Sequence, residues 1–410
     1  MKVSLKGSIA VLSLILSSGA QARLYNYEDM PVGTRAIGLG NTGMALVNDA
    51  GMAFLNPSIL SFADGNQVSA SVSAYTRIDT RTGEFVSLFK SAADNVTRGG
   101  FMSIPTNIGG FLAKGDWTWG GAVFVPNAFE SKSSVDLSET SVASYESNIE
   151  DIWINFFGSK KLSERSSLGL GVFYVSREIN EKFSYFDVGS GSLAISFDEK
   201  LYEGNGLNAI VGYTHKSSDT FMWAASFRTP VWAWGGLGRS STLTSGDSEI
   251  NSSEFKPTAV PIPARLSWGF HQQFDNRRSF VADLHLYLPF KKNLDPNNDS
   301  YYDVELRAIP SLHFGWEHFL KDSLGYRLGF FTNLSAAKEV PADVSAVHDK
   351  VHMFGGTGAI VLASTMGEVV LGGWVQGGQG YSRSINPAVT AKEPRSNYFY
   401  GMVIASSYKF

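Results

Sequence analysis

A regular alternation of apolar and polar side chains is the feature that most limits how this chain can fold. It begins after Asn66, and the first segment, Val68 to Ile78, carries valine and alanine on one face and serine on the other. Successive side chains of a strand point to opposite faces, so the pattern predicts strands with one apolar and one polar face. Segments of about ten such residues, separated by alternately short and long connections, are typical of a transmembrane β-barrel.

Fourteen segments show this pattern, and the last of them is Asn397 to Phe410. An even number of antiparallel strands returns both ends of a barrel to the same side of the membrane. Pairing of the last strand with the first would also remove an exposed aromatic edge. We therefore predict an all-β fold in which residues 66–410 form a 14-stranded antiparallel transmembrane β-barrel.

The first residues of the chain predict export. Lys2 and Lys6 precede an apolar run and an Ala20-Gln21-Ala22 cleavage site, as in a secretory signal peptide, to which we assign residues 1–22. The 410-residue chain has no cysteine, which excludes disulfides and thiolate metal sites. Its net charge of −4 shows no basic excess, so we expect no nucleic-acid partner. No motif predicts a metal or another cofactor.

A glycine- and alanine-rich stretch, Gly33 to Leu60, lies between the signal and the first strand. Its segment Gly38-Leu39-Gly40-Asn41-Thr42-Gly43 fits the dinucleotide-binding pattern G-x-G-x-x-G. That pattern needs a buried strand before it and a helix after it. Here a polar, proline-broken segment precedes it, and Gly51 and Pro57 interrupt the segment after it. We therefore interpret the stretch as a compact coil that packs against the barrel wall.

The same stretch resembles the N-terminal hatch of the outer-membrane long-chain fatty-acid transporter family. Two residues, Asn48 and Ser58, depart from the family pattern. The resemblance implies that residues 23–65 form a hatch, or plug, inside the lumen of the barrel. It also implies passive uptake of hydrophobic molecules, with long-chain fatty acids as the leading candidates. The matching hatch residues are Gly38, Gly40, Gly43, Asp49, Ala50, Asn56 and Pro57.

An ionisable inner wall results when the more hydrophobic face of each strand is assigned to lipid. Its serine, histidine and acidic groups could form a hydrolytic site, for which Ser267 and His271 are the pair that can be named. No nucleophile–base spacing supports that role, and barrel lumens are generally polar. We therefore predict a hydrogen-bonded brace for the hatch, and no enzyme. The wall comprises Arg265, Ser267, His271, Gln273, Asp283, His285, Tyr287, His313, Glu317 and Arg327.

Other inward faces predict an apolar ligand path. Phe173 and Val175 would line the lumen, where an apolar solute gains roughly 25 cal/mol per Å² removed from water. A fatty carboxylate would favour a nearby cation. The candidate cations are Arg35, Arg177, Arg265 and Arg327.

Two long connections, Asn180 to Asn205 and Thr229 to Pro261, are rich in apolar residues. Contiguous exposed apolar surface tends to mark an interaction site. Corresponding loops of the transporter family form an outer hydrophobic groove, so the resemblance assigns initial ligand capture to Trp232, Trp234 and Leu237. An aromatic girdle at the membrane boundary is the alternative interpretation.

The segment Trp117 to Asn127 contains Gly120, Gly121 and Pro126. Proline cannot donate to a strand ladder and paired glycines permit a bend, so we predict a local opening of the wall here. Members of the family release ligand sideways through a kinked third strand, and the resemblance assigns that role to these three residues. A plain strand end at Pro126 is the alternative.

These features favour a monomeric channel of the Gram-negative cell outer membrane. Its expected partners are a hydrophobic small molecule such as a fatty acid, the lipid bilayer and lipopolysaccharide. The aromatic end of the last strand resembles the signal that the outer-membrane assembly machinery recognises. The alternative function is a structural or secretion-associated barrel that binds a protein partner, since one fold serves several functions.

Overall fold

The fold is described from a computed structural model, which covers residues 26–27, 32–47, 49–80, 96–98, 102–188, 194–244, 250–294, 303–338, 349–383 and 392–410. Three short 3₁₀ helices come first: Ala36–Leu39, Ala50–Phe54 and Pro57–Phe62. Among the described residues, no helix combines the length and apolarity needed to cross a membrane. The strands are β1 (Gln67–Thr80), β2 (Val96–Arg98), β3 (Met102–Lys114), β4 (Trp117–Phe124), β5 (Ala128–Ser138), β6 (Ser141–Ser163), β7 (Ser166–Asp187), β8 (Ala194–Lys216), β9 (Phe221–Arg228), β10 (Trp232–Thr244), β11 (Asn251–Phe255), β12 (Arg265–Gln273), β13 (Arg278–Tyr287), β14 (Phe290–Asn293), β15 (Asp303–Leu306), β16 (Ile309–Lys321), β17 (Leu324–Asn333), β18 (Asp349–Ser364), β19 (Gly367–Arg383) and β20 (Lys392–Lys409).

Fourteen of these strands form one closed antiparallel barrel. β1 pairs with β3 on one side and with the last strand, β20, on the other, so the sheet closes on itself. From β3 the order around the wall is β4, β6, β7, β8, β9, β12, β13, β16, β17, β18, β19 and β20. The predicted 14-stranded antiparallel barrel is therefore confirmed, and each predicted segment lies on one of these strands.

Two positions around the wall are occupied by a pair of consecutive strands. β4 pairs with one half of β6 and β5 with the other half, while β9 and β10 divide β8 in the same way. The prediction of long loops over residues 180–205 and 229–261 was therefore wrong for most of their length. Hydrogen bonding to a neighbouring strand holds these residues extended, so β7 continues to Asp187 and β8 begins at Ala194.

Alternating exposure shows which face of each strand points inward. On β7, Phe173 and Val175 are buried, whereas Val172, the residue before Phe173, is exposed. On β6, Phe156 is 71% exposed and Phe157 is buried. The core of the molecule therefore lies inside the barrel, and the large exposed apolar side chains cover its outer face.

The described N-terminal segment, residues 32–47 and 49–62, fills part of this interior as short helices joined by tight turns. Nearly all of its residues are buried, including Leu39, Met44, Leu55 and Ile59. They pack against inward-facing side chains of the strands, such as Phe173. The segment therefore contributes apolar core as well as polar contacts.

Candidate functional site

Side chains of the barrel wall hold the N-terminal segment by its backbone. Asp283 of β13 accepts hydrogen bonds through Oδ2 from the N–H groups of Gly43 and Met44, at 2.7 and 3.1 Å. From β9, the Ser226 hydroxyl donates to the carbonyl of Leu55 at 2.8 Å. Buried backbone groups need such partners, so these contacts compensate for their removal from water. The brace predicted from the sequence has donors and acceptors on several strands.

Gly40 is a point of close contact between the segment and the wall. Its φ of +68° is a left-handed conformation that favours glycine. A Cβ atom there would lie 2.6 Å from the carbonyl oxygen of Phe330 and 2.8 Å from that of Phe314. The Gly40 N–H donates to the Thr357 hydroxyl at 2.9 Å. Both the backbone conformation and the close approach of two strands therefore require glycine at this position.

The other predicted hatch residues are buried within the same segment. Gly38 lies against Arg327, and the N–H of Gly43 donates to Asp283. Asp49 accepts from the N–H groups of Thr34 and Gly51, each at 2.7 Å. Burial raises the pKa of the Asp49 carboxyl, and these hydrogen bonds oppose the shift.

The final turn of the segment is fixed by Asn56. Its Oδ1 accepts from the Ser58 N–H at 3.1 Å, and its Nδ2 donates to Thr214 of β8 at 2.9 Å. Pro57 occupies the first position of the last helix, where a missing N–H removes no intrahelical bond. The sequence therefore located the residues that end the segment, but not their partner on the wall.

Two of the predicted ligand cations, Arg35 and Arg327, belong to an ion-pair network. Arg327 donates to Glu317 at 2.6 Å and to Glu368 at 2.7 and 3.2 Å. Glu317 also pairs with Arg35 of the N-terminal segment, which donates to it through two nitrogens. A third nitrogen of Arg35 donates to the carbonyl of Val47 at 3.1 Å. Each charge in this network is thus neutralised within the protein, which favours a bracing role for both arginines.

An aromatic cluster lies where the segment meets β4, β6 and β7. The ring of Phe54 is 5.2 Å from Phe124, 5.3 Å from Trp153 and 6.1 Å from Phe173, measured between ring centroids. Trp153 and Phe173 are themselves 5.5 Å apart in an edge-to-face arrangement. Val175 is buried beside them. We call Phe54, Phe124, Trp153, Phe173 and Val175 the apolar cluster.

Three arginines lie near Phe54 and Trp153 of the apolar cluster. Arg177 is neutralised by Asp151 through two hydrogen bonds of 2.6 Å. Arg228 and Arg265 are directly opposite each other on β9 and β12, and both guanidinium groups lie over the Phe54 ring, at 5.1 and 5.7 Å. Cations over aromatic faces are stabilised by the ring quadrupole. Arg177 and Arg265 were predicted from the sequence as candidate cations, whereas Arg228 was missed.

A cavity of about 30 Å³ is lined by these three arginines together with Phe54 and Trp153 of the apolar cluster. No carboxylate is among the described residues that line it, which include Phe54, Trp153 and the three arginines. The Nε atom of Arg265 is buried and has no hydrogen-bond partner within the described part of the chain. A volume of about 30 Å³ is room for water only, so a larger molecule needs the lining to move.

The partner strand of β6 changes next to this cavity, at residues 125–127, where backbone hydrogen bonds still join Val125 to Thr106 at 3.0 Å and Asn127 to Asp151 at 2.8 Å. Pairing of β6 changes from Phe124 opposite Trp153 to Ala128 opposite Glu150, and Pro126 lies between the two partner strands. Pro126 and Asn127 both line the cavity. Gly120 and Gly121, by contrast, are regularly paired inside β4.

The three predicted capture residues lie elsewhere. Trp232 and Trp234 of β10 are 57% and 58% exposed, and Leu237 is partly buried. Trp234 lies 5.8 Å from the ring of Tyr174, whose neighbours along β7 point inward. The two tryptophans therefore sit on the outer face, a placement that favours the alternative interpretation as an aromatic girdle.

The pair considered for hydrolysis is not assembled. Ser267 hydrogen-bonds His285 at 2.9 Å and not His271, and both partners are buried beneath the N-terminal segment. Among the residues that the structure describes, no group of three or more His, Cys, Asp or Glu side chains could hold a metal ion.

The fold is shared with solved channels. A FadL homologue from Pseudomonas aeruginosa superposes with a TM-score of 0.71 at 14% identity, covering 93% of this chain and 99% of that one. The toluene transporter TodX of P. putida gives 0.67 at 17%, covering 94% and 99%. The toluene transporter TbuX of Ralstonia pickettii gives 0.61 at 15%, covering 94% and 99%. No family model and no curated protein sequence matches the chain. The resemblance stated from the sequence is thus confirmed at the level of the fold.

Proposed function

We propose that this chain is an outer-membrane channel for the passive passage of hydrophobic molecules that carry an anionic group, with long-chain fatty acids as the leading candidates. The observation that carries the proposal is the cavity lined by the three arginines, Phe54 and Trp153, next to the rest of the apolar cluster. Apolar rings would accept a hydrocarbon chain, which gains roughly 25 cal/mol per Å² of its own apolar surface removed from water.

Arg265 is the cation best placed for a carboxylate. Its side chain is buried, lines the cavity and keeps an Nε donor without a hydrogen-bond partner in the described residues. Arg35 and Arg327 are held by Glu317 and Glu368 instead, and Arg177 by Asp151. The solved relatives include transporters of toluene, a neutral molecule, so a charged group on the ligand would distinguish this chain from them.

The route for the ligand follows from the position of the cavity. Residues 23–65 would act as the hatch, because the described part of them occupies part of the barrel interior and would have to shift for a ligand to enter. The change of pairing partner at residues 125–127 would mark the sideways exit, with Pro126 at its centre and Gly120 and Gly121 in the strand before it. Trp232, Trp234 and Leu237 would make the first contact with ligand near the membrane boundary.

The remaining features of the proposal concern the cell. A cleaved signal over residues 1–22 would export the chain, the aromatic final strand would direct its assembly, and the exposed apolar outer face would contact bilayer and lipopolysaccharide as a monomer. A structural barrel that holds a protein partner would not need the buried Arg265 beside the apolar cluster.

Mass spectrometry of small molecules extracted from gently purified protein tests the proposal. We expect an apolar anion in the wild-type protein and its loss in Phe173→Ala, which truncates the apolar cluster. Val172→Ala is the matched control, because Val172 is the adjacent residue and is exposed on the outer face. Recovery of a stoichiometric protein, with no apolar small molecule, would refute the channel and favour the structural barrel.

A further inference from the structure

His313 of β16 holds the N-terminal segment at Gly40. The imidazole is fully buried, and its Nδ1 lies 2.7 Å from the carbonyl oxygen of Gly40. Its Nε2 lies 3.0 Å from the hydroxyl oxygen of Ser311. Both ring nitrogens are therefore engaged, one with the segment and one with the wall.

The partners of His313 determine which nitrogens carry hydrogen. A carbonyl oxygen only accepts hydrogen bonds, so Nδ1 must carry a proton to bind Gly40. The single hydroxyl proton of Ser311 is directed at the carbonyl oxygen of Thr332, only 2.5 Å away. The Ser311 oxygen is therefore left to accept from Nε2, which must also carry a proton. The doubly protonated, cationic imidazolium meets both requirements while the Ser311 hydroxyl stays directed at Thr332. A neutral ring would keep both contacts only if that hydroxyl turned to donate to Nε2.

The surroundings of His313 suit a cation. Asp283 lies directly opposite on β13, and its carboxylate accepts from the N–H groups of Gly43 and Met44. His313 and Asp283 thus bind the two ends of the same loop, residues 40–44. His313 binds the carbonyl of Gly40, and Asp283 binds the N–H groups of Gly43 and Met44. This arrangement matches the charge of each wall residue to the backbone group that it binds.

Other side chains from three strands face the pair in the described part of the chain. His285 of β13 contacts the His313 ring edge-on at 4.9 Å, and Arg265 of β12 acts on Asp283 through its charge. From β17, the neutral ring of Phe331 is stacked on His313 at 6.2 Å. Along β16 itself, Glu317 is already paired with Arg35 and Arg327.

We propose that His313 is a proton-responsive positioning residue of the N-terminal segment. In the doubly protonated form it fixes the Gly40 carbonyl. When one proton passes to water, the neutral ring has a single N–H. It must then give up Gly40 or Ser311, or Ser311 must turn its hydroxyl from Thr332 to Nε2, and each change loses a hydrogen bond of the arrangement that fixes Gly40. The segment therefore opens more readily as the pH rises, whatever ligand the channel carries.

Hydrogen exchange of the full-length protein in detergent, corrected for intrinsic exchange rates, tests this between pH 5 and pH 9, the range around which histidines change charge. For peptides from residues 36–46 we expect the opening equilibrium to increase with pH, by at most about tenfold per pH unit for one proton. His313→Gln keeps a donor for Gly40 but cannot titrate, so its profile should lose the increase with pH that His313 contributes. His318→Gln is the matched control, since the His318 ring hydrogen-bonds Tyr326 and has no hydrogen bond to the described residues of the segment.

A wild-type profile that is flat with pH would overturn the proposal, and so would a His313→Gln profile that keeps the wild-type slope. If His313→Gln does not fold, Ser311→Ala decides the matter, because it removes the acceptor for Nε2 while leaving the histidine in place. We expect its profile to move to lower pH, and an unchanged profile would refute the proposal. None of these outcomes depends on transport, so they are independent of the proposed channel function.

Discussion

Arg265 donates a hydrogen bond to the backbone carbonyl of Phe54, 3.2 Å away, while its guanidinium lies over the ring of the same residue. One arginine of the wall thus binds the N-terminal segment and faces the cavity at once. A ligand carboxylate that attracts this guanidinium would compete with the Phe54 carbonyl. The ligand site and the seating of the segment therefore share a residue.

We predict that Arg265→Gln weakens binding of a long-chain carboxylate by about ten- to hundredfold, because a hydrogen bond to a charged group contributes about 1.5–3 kcal/mol. Calorimetric titration with a fatty acid measures this loss. The alcohol of the same chain length is the control ligand, and its affinity should change little. Equal losses for both ligands would mean that Arg265 acts on the fold of the site and not on the charge of the ligand.

Glu317 neutralises Arg35 of the segment and Arg327 of β17 together, so we predict that Glu317→Gln lowers the free energy of unfolding by about 3–5 kcal/mol. The loss comes from the buried guanidinium of Arg327 and the partly buried one of Arg35, which keep their charge without this carboxylate. Denaturant titration of the protein in micelles gives the value. Asp275→Asn, which breaks a solvent-exposed pair with Arg278, is the control and should leave stability nearly unchanged.

Gly40→Ala should loosen the N-terminal segment, because alanine must adopt the left-handed conformation and its Cβ would meet the carbonyl oxygens of Phe330 and Phe314. We expect a cost of about 1–3 kcal/mol for the conformation alone. Faster proteolysis within residues 36–46 would report the loosening. Gly235→Ala is the matched variant, since a Cβ there meets no atom within 4 Å. Similar proteolysis of the two variants would contradict the role of Gly40.

The stability contributed by Asp49 should depend on pH. Burial raises the pKa of its carboxyl above the value of 3.8 that it has when unfolded, so the folded protein holds the proton more tightly. The charged form therefore disfavours folding at higher pH, and this penalty is relieved as the pH falls through the raised pKa toward 3.8. Relative to Asp49→Asn, the wild-type protein should gain stability over that window. A stability difference that stays constant with pH would contradict this prediction.

Much of the barrel and part of the site could be predicted from the sequence. A period of two residues determines facing, which is why Phe173, Val175 and Arg265 were correctly expected to point inward. The pairing of Arg228 with Arg265 could not be predicted, because it depends on the register of β9 against β12 and Arg228 stands at a strand end before Pro230.

Contacts between residues far apart in the sequence could not be predicted either. The side chains of Arg35 and Arg327 suggested ligand cations, yet Glu317 binds both, because the path of the N-terminal segment brings Arg35 to β16. The strands were also predicted to end too early, because residues 180–205 and 229–261 were interpreted as loops. Strand pairing with β6 and β8 extends them, and pairing is a property of neighbours and not of local composition.

Photocrosslinking with a diazirine-bearing long-chain fatty acid tests the central claim most directly. If the ligand occupies the space between the apolar cluster and Arg265, the labelled peptides will contain Phe54, Trp153 or Phe173, and excess unlabelled fatty acid will suppress the labelling. Labelling confined to the outer face, at Trp232 and Trp234 and insensitive to competitor, would contradict the account.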